Sequence, residues 1–203
     1  MEDAVKSHGL FKYLSSVYDI VAKISMLGQY NRLRRQLLGK IKITKGKRIL
    51  DLGSGTGYLG EKMSPADVVS VDISIDMLRR ARLKSKGEFV VADAHRLPFK
   101  EGRFDAVVSS FAMHEVARPF EALSEMFRIL GPGGEIAVMD VVQQKKLSKK
   151  ILLQIYHTFV ELRTAYYVNI MDIKREFSAR TQDFNVQLEM FELVALVWGK
   201  KRT

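Results

Sequence analysis

One stretch constrains this chain more than any other. Residues 48–63 read RILDLGSGTGYLGEKM, an apolar run carrying one acid, followed by glycines at 53, 55, 57 and 60. A strand that runs into glycines and then a helix brings bare backbone and helix N-terminal amides close to a ligand. The sequence beyond agrees with such a unit. Short β-branched runs at VVSVDI (68–73), FVVADA (89–94), FDAVVSS (104–110) and EIAVMDVV (135–142) alternate with amphipathic stretches, the pattern of a parallel sheet with crossover helices. Ser74 is placed to cap a helix with Asp76 in its first turn and Gly87 beyond its end. Pro119 opens another helix, which GPGG (131–134) stops. YNRLRRQLL and VYDIVAKISML in the first 47 residues are each apolar on one side, as helices are. The closing FNVQLEMFELVALVWGKK reads as two strands whose short connection makes them antiparallel. The expected class is α/β, doubly wound, with ligand at the carboxyl ends of the strands.

Which ligand is a question of charge. A P-loop is excluded because no Gly-Lys-Ser/Thr follows the glycines. Gly55, Gly57 and Gly60 satisfy the dinucleotide spacing, but Asp51 would place a carboxylate beside the pyrophosphate, and like charges repel. A cationic ligand fits better. S-adenosylmethionine carries an ammonium and a sulfonium and no phosphate. The second strand ends in Asp72, placed to accept from two ribose hydroxyls, and the third in Asp93, placed to accept from an adenine amine.

With these residues in place, LDLGSGTGYLG, VDISIDMLRRAR, VVADAHRLPFKEGRFDAVVSSFAMHEV and EMFRILGPGGEIAVMDVV together resemble the class I S-adenosylmethionine-dependent methyltransferases over nearly the whole chain. The resemblance implies a Rossmann-like, seven-stranded sheet, mostly parallel with an antiparallel last strand. It divides one domain into a helical N-terminal lid (1–47), a donor-binding core (48–142), a helical acceptor-side segment (143–180) and terminal strands (181–203). It also implies that Asp51, Gly53, Ser54, Gly55 and Gly57 hold the methionine portion of the donor and Asp72 its ribose. Ile73 and Met77 would flank the adenine, Asp93 and the Ala94 amide would meet its edge, and Ser110 and Phe111 would run along the donor. For Met77 a core position on its helix is the competing reading.

The likeness is to the ubiquinone and menaquinone biosynthesis methyltransferases in particular, carried by YDIVAKISMLGQYNRLRRQLL and LVALVWGKK. The chain departs from that group at Val21, Ala22, Gln29 and Arg32, and has His114-Glu115 where the group has Arg-Asn. The expected product is S-adenosylhomocysteine, and the expected acceptor is small or lipid-like. A base is required only if the acceptor loses a proton. His114 and Tyr18 are the candidates, with a helix-turn residue and a packing residue as their respective alternatives.

Composition narrows the chemistry further. No cysteine is present, which removes thiolate metal sites and cysteine-dependent methylation of cytosine C5 or arsenite, and no metal is expected. SSFA stands where an Asn-Pro-Pro-Tyr signature for amide or exocyclic base nitrogens would be. The net charge is +10, and no acid falls between Asp19 and Asp51. That run, with KKLSKK (145–150), reads either as a solvated face or as a contact for an anionic membrane surface or RNA. An RNA methyltransferase and a donor-binding module without transfer are the alternatives to a small-acceptor enzyme. The aromatic-rich segment 147–171 would supply an apolar acceptor chamber or a helix interface. No apolar stretch is long enough to cross a bilayer and the first ten residues show no secretory signal, so a cytoplasmic location is expected.

Overall fold

The computed structural model describes residues 29–143, 166, 168–190 and 192–203. In chain order the elements are α1 (Tyr30–Leu38), β1 (Arg48–Leu52), α2 (Tyr58–Lys62), β2 (Asp67–Asp72), α3 (Ile75–Lys84), β3 (Glu88–Val91) and β4 (Phe104–Ser110). A 3-10 turn (Met113–Glu115), α4 (Pro119–Ile129), β5 (Leu130–Val141), α5 (Ile170–Arg180), β6 (Thr181–Glu189) and β7 (Val194–Lys201) complete it. The stretch VYDIVAKISML, where a helix is expected, most of the aromatic segment 147–171, and KKLSKK lie outside the described residues.

Burial explains why the central strands are uninterrupted apolar runs. β1, β2 and β4 are covered on both faces, so every second residue need not be polar. One sheet results, in the order β3-β2-β1-β4-β5-β7-β6. Pairing is parallel from β3 to β5, whereas β7 inserts antiparallel between β5 and β6. The two antiparallel strands expected at the C-terminal end are thus one hairpin, and the seven-stranded α/β sheet is the one expected.

Helices pack on both faces. α4 and α5 bury Leu123, Met126, Phe127, Ile173 and Phe177 against one side of the sheet. α1 buries Leu33 and Leu37 on the other, along the i, i+3, i+4 stripe its sequence shows. Ser74 caps α3 as read, its hydroxyl accepting from the Met77 amide at 3.3 Å, and Pro119 is the first residue of α4.

The boundaries of β3 and β5 differ from expectation. β3 stops at Val91 rather than running to residue 94, because Asp93 bends the chain by accepting the His95 amide on its own side chain at 2.9 Å. β5 starts at Leu130 rather than 135. The Gly-Pro-Gly-Gly segment does end α4, but it is taken up as an irregularity in the ladder, where the register with β4 shifts between Phe104 and Ala106.

Candidate active site

Strand order reverses between β1 and β4, which opens a crevice at their carboxyl ends. Asp51 comes from β1 itself and is buried, 1% exposed. Its Oδ2 and the Oγ of Ser54 are buried and have no hydrogen-bond partner among the described residues. Burial pushes the Asp51 carboxyl up to about 7; the Arg34 guanidinium opposes that rise, Asp72 adds to it, and the Gly60 amide opposes it.

The loop after β1 is shaped by its neighbours. Gly53 has φ +67°, and a Cβ there would overlap that of Ala112. Gly55 also has positive φ, yet a Cβ there would meet nothing within 4 Å, so its bare edge faces open space. Gly57 precedes α2 and packs on Ala81. Asp72, the last residue of β2, ties this loop to the next one: Oδ2 accepts the Gly55 amide at 2.8 Å and Oδ1 the Ser74 amide at 2.9 Å. Burial raises its carboxyl above the usual range, with the Ser74, Gly55 and Ile73 amides opposing.

The remaining predicted donor contacts are spread along this edge. Ile73 is 42% exposed beside the loop, whereas Met77 is 2% exposed on the inner face of α3. Ala94 packs partly against the core on the α4 side. Asp93 is on the exposed loop past β3, with His95 Nδ1 2.5 Å from its Oδ1. The desolvation of Asp93 is outweighed by the His95 bonds, which hold its carboxyl below the usual range.

At the end of β4, Ser110 and Phe111 meet α1. Arg34 Nε donates to Ser110 Oγ at 3.2 Å and its terminal nitrogen to the Tyr30 hydroxyl at 2.6 Å. Tyr30 stacks on Phe111 with centroids 4.9 Å apart. Phe111 has φ +53°, a conformation that costs a non-glycine residue about 1 kcal/mol or more. Its amide bond to the Met139 carbonyl, 2.8 Å, and the Tyr30 stack hold it there.

His114 is in the 3-10 turn and is 2% exposed. Its Nδ1 is 2.5 Å from Asp140 Oδ1, at the end of β5. Tyr18 lies outside the described residues.

Two residues of this region were not singled out in the sequence: Arg34, hidden within a basic run, and Asp140. The signal for Asp140 was available, since it is a lone acid near the end of an apolar strand, as Asp51 is. Three residues of the basic run are answered by distant acids. Arg32 pairs with Glu189 at 3.0 Å, Lys47 with Asp105 at 3.1 Å and Arg48 with Glu88 at 3.0 Å, while Arg34 is buried. Among the described residues no helix is long and apolar enough to cross a membrane.

The geometry fits a cationic adenosyl donor: a buried carboxylate oxygen and a hydroxyl at the switch point that have no partner among the described residues, an open glycine edge, and a second carboxylate on the adjacent strand. Comparison with known proteins agrees. Residues 50–138 match the family model for a methyltransferase domain. A demethylmenaquinone methyltransferase of Thermus thermophilus is 33% identical over 72% of this chain and 71% of that protein. One of Renibacterium salmoninarum is 35% identical over 64% of this chain and 56% of that protein. A methyltransferase structure from Thermotoga maritima superposes with a TM-score of 0.70 at 19% identity, covering 96% of this chain and 99% of the other. The chain belongs to the class I S-adenosylmethionine-dependent methyltransferases, near the ubiquinone and menaquinone biosynthesis group. It spans about half the length of the Renibacterium protein.

Proposed function

We propose that the protein transfers a methyl group from S-adenosylmethionine to a small, lipid-like acceptor with a quinone-type ring. The observation that carries this reading is the buried Asp51 Oδ2 at the switch point, which has no partner among the described residues and which a ligand ammonium would satisfy. When bound, S-adenosylmethionine supplies a methyl carbon activated by its sulfonium and leaves as S-adenosylhomocysteine.

The chain's own residues then bind and align. Asp51 and Ser54 would hold the amino-acid end and Gly55 would let the backbone approach. Asp72 would accept from the ribose while fixing the loop, and Asp93, with the Ala94 amide, would meet the adenine edge. Ser110 and Phe111, clamped by α1, would border the transfer path. Much of the rate in such a displacement comes from alignment and the exclusion of water. The quinone-type acceptor rests on similarity to relatives named demethylmenaquinone and ubiquinone/menaquinone biosynthesis methyltransferases.

The test is calorimetry with S-adenosylmethionine and S-adenosylhomocysteine, followed by labelled-methyl transfer into demethylmenaquinone reduced to its quinol. Binding of both donor forms and label in the quinol are expected. Donor binding with label only in RNA or protein fractions would overturn the acceptor, and failure to bind the donor would overturn the whole reading.

A further inference from the structure

The carboxyl end of β5 holds a second buried carboxylate that donor binding does not use. Asp140 is 5% exposed and is saturated from within. Its Oδ2 accepts the amides of Met113 at 2.6 Å and His114 at 3.2 Å, and its Oδ1 accepts the Val141 amide at 2.7 Å and faces His114 Nδ1 at 2.5 Å. An ionised carboxylate only accepts, so the imidazole must present a hydrogen on Nδ1. The His114 carbonyl is held in turn by the Tyr166 amide at 2.7 Å.

Among the described residues the same carboxylate is the one ionisable group in the wall of an apolar pocket between the sheet, α4 and α5, whose lining includes Met113, Phe120, Leu123, Ile173 and Phe177. Taking a carboxylate out of water is costly even where it is hydrogen-bonded, so stability alone is a poor reason for Asp140 in the wall of such a pocket.

We propose that His114 and Asp140 form the proton-accepting pair of the acceptor side: Asp140 fixes the imidazole with its hydrogen on Nδ1, and His114 Nε2 takes the proton of a hydroxyl on an aromatic acceptor ring. This rests on the methyl-transfer reading and deepens it. The hydroxyl's O–H bond breaks and its proton goes to Nε2. The electron pair released is delivered, from the oxygen or from a conjugated ring carbon, to the methyl carbon. A bond forms there as the carbon–sulfur bond breaks, and the electron pair of that bond stays on sulfur. Where carbon is methylated, the ring hydrogen moves to the oxygen and restores the aromatic hydroxyl, so one proton leaves in either case. The imidazolium then formed is stabilised by Asp140. His114 is the catalytic residue and Asp140 its positioning residue; an acceptor with no dissociable hydroxyl would not need the pair.

The experiment has two arms on the full chain. In the first, nitrogen-15 spectra of histidine-labelled protein, with and without S-adenosylhomocysteine, read the His114 tautomer. Hydrogen on Nδ1 and a bare Nε2 are expected; hydrogen on Nε2 overturns the proposal. In the second, demethylmenaquinol is the probe acceptor, and donor affinity is measured beside turnover. H114Q is expected to lower kcat about 10²-fold to 10⁴-fold and D140N about 10²-fold, with KM and donor affinity nearly unchanged. Wild-type kcat in either variant overturns the pair. If D140N does not fold, the wild-type tautomer and H114Q still decide. A wild-type protein that binds no donor would instead sink the methyl-transfer reading, while the tautomer independently reports on Asp140.

Discussion

Two buried carboxylates lie near the carboxyl ends of strands in one sheet, and their surroundings are opposite. Asp140 is surrounded by three backbone amides and an imidazole. Asp51 leaves one oxygen without a partner among the described residues, and burial pushes its carboxyl to about 7. A saturated carboxylate belongs to the architecture whether or not a ligand arrives, whereas an unsaturated one is completed only by something from outside. The difference separates a positioning group from a binding group without reference to any ligand.

The largest effect is expected from removing the saturated one. D140A would strand three buried amides and the His114 ring nitrogen, and each buried donor left without its acceptor costs about 1–3 kcal/mol. Urea denaturation should show that loss. A cost within about 0.5 kcal/mol would mean that the region repacks freely, and the contrast would collapse.

At Asp51 the sign reverses. Its folded-state carboxyl is raised above the unfolded value of 3.8 to about 7, so its contribution to stability is fully present below about pH 4 and is lost as pH rises through 7. That gap corresponds to a cost on the order of 4 kcal/mol at pH 8. D51N is therefore expected to raise the donor-free melting temperature at pH 8 and to leave it nearly unchanged at pH 4. The same substitution should weaken S-adenosylmethionine binding by about 2–3 kcal/mol, since a charge-assisted contact is gone. In the wild type, donor affinity should fall up to about tenfold for each pH unit below 7. A wild-type affinity flat between pH 5 and 8 would show that Asp51 does not meet a cation.

Asp72 lies between the two extremes. It is partly satisfied, by the Gly55 and Ser74 amides, so it can both brace the loop and accept from a ligand. D72A should weaken donor binding by about 1–3 kcal/mol in calorimetry. If D72N retains full affinity, the carboxylate acts on the loop alone.

What could be read from the sequence follows the same division. α1 has the bounds of YNRLRRQLL, and β4 those of FDAVVSS, because apolar periodicity and a buried β-branched run are local signals. Asp51 was legible as an acid beside glycines and Asp72 as the acid that ends the second strand. Asp93 was misplaced within a strand because the turn it makes with His95 uses its side chain, which a run of apolar letters does not reveal. Asp140 and Arg34 went unremarked because their meaning lies in partners far along the chain: Asp140 reaches His114, and Arg34 reaches Ser110. Within the basic run, the pairing of Arg32, Lys47 and Arg48 was illegible for the same reason, their counter-charges being supplied by Glu189, Asp105 and Glu88.

The smallest effect is expected where the comparison leaves the interior altogether. Arg32 joins α1 to Glu189 at the end of β6, with the Arg32 side chain 53% exposed and that of Glu189 13% exposed. It also donates to Gln29 at 2.9 Å. An ion pair so open to water is screened and must hold a long side chain in one geometry, so R32A should cost no more than about 1 kcal/mol. The cost should shrink further in high salt, where the charges are masked. Donor affinity should not change, because Arg32 touches none of the loops that surround Asp51. A drop in donor affinity in R32A at low salt that vanished at high salt would show that the basic run reaches the donor through its field. The separation of binding group from framework would then extend well beyond the carboxylates that define it.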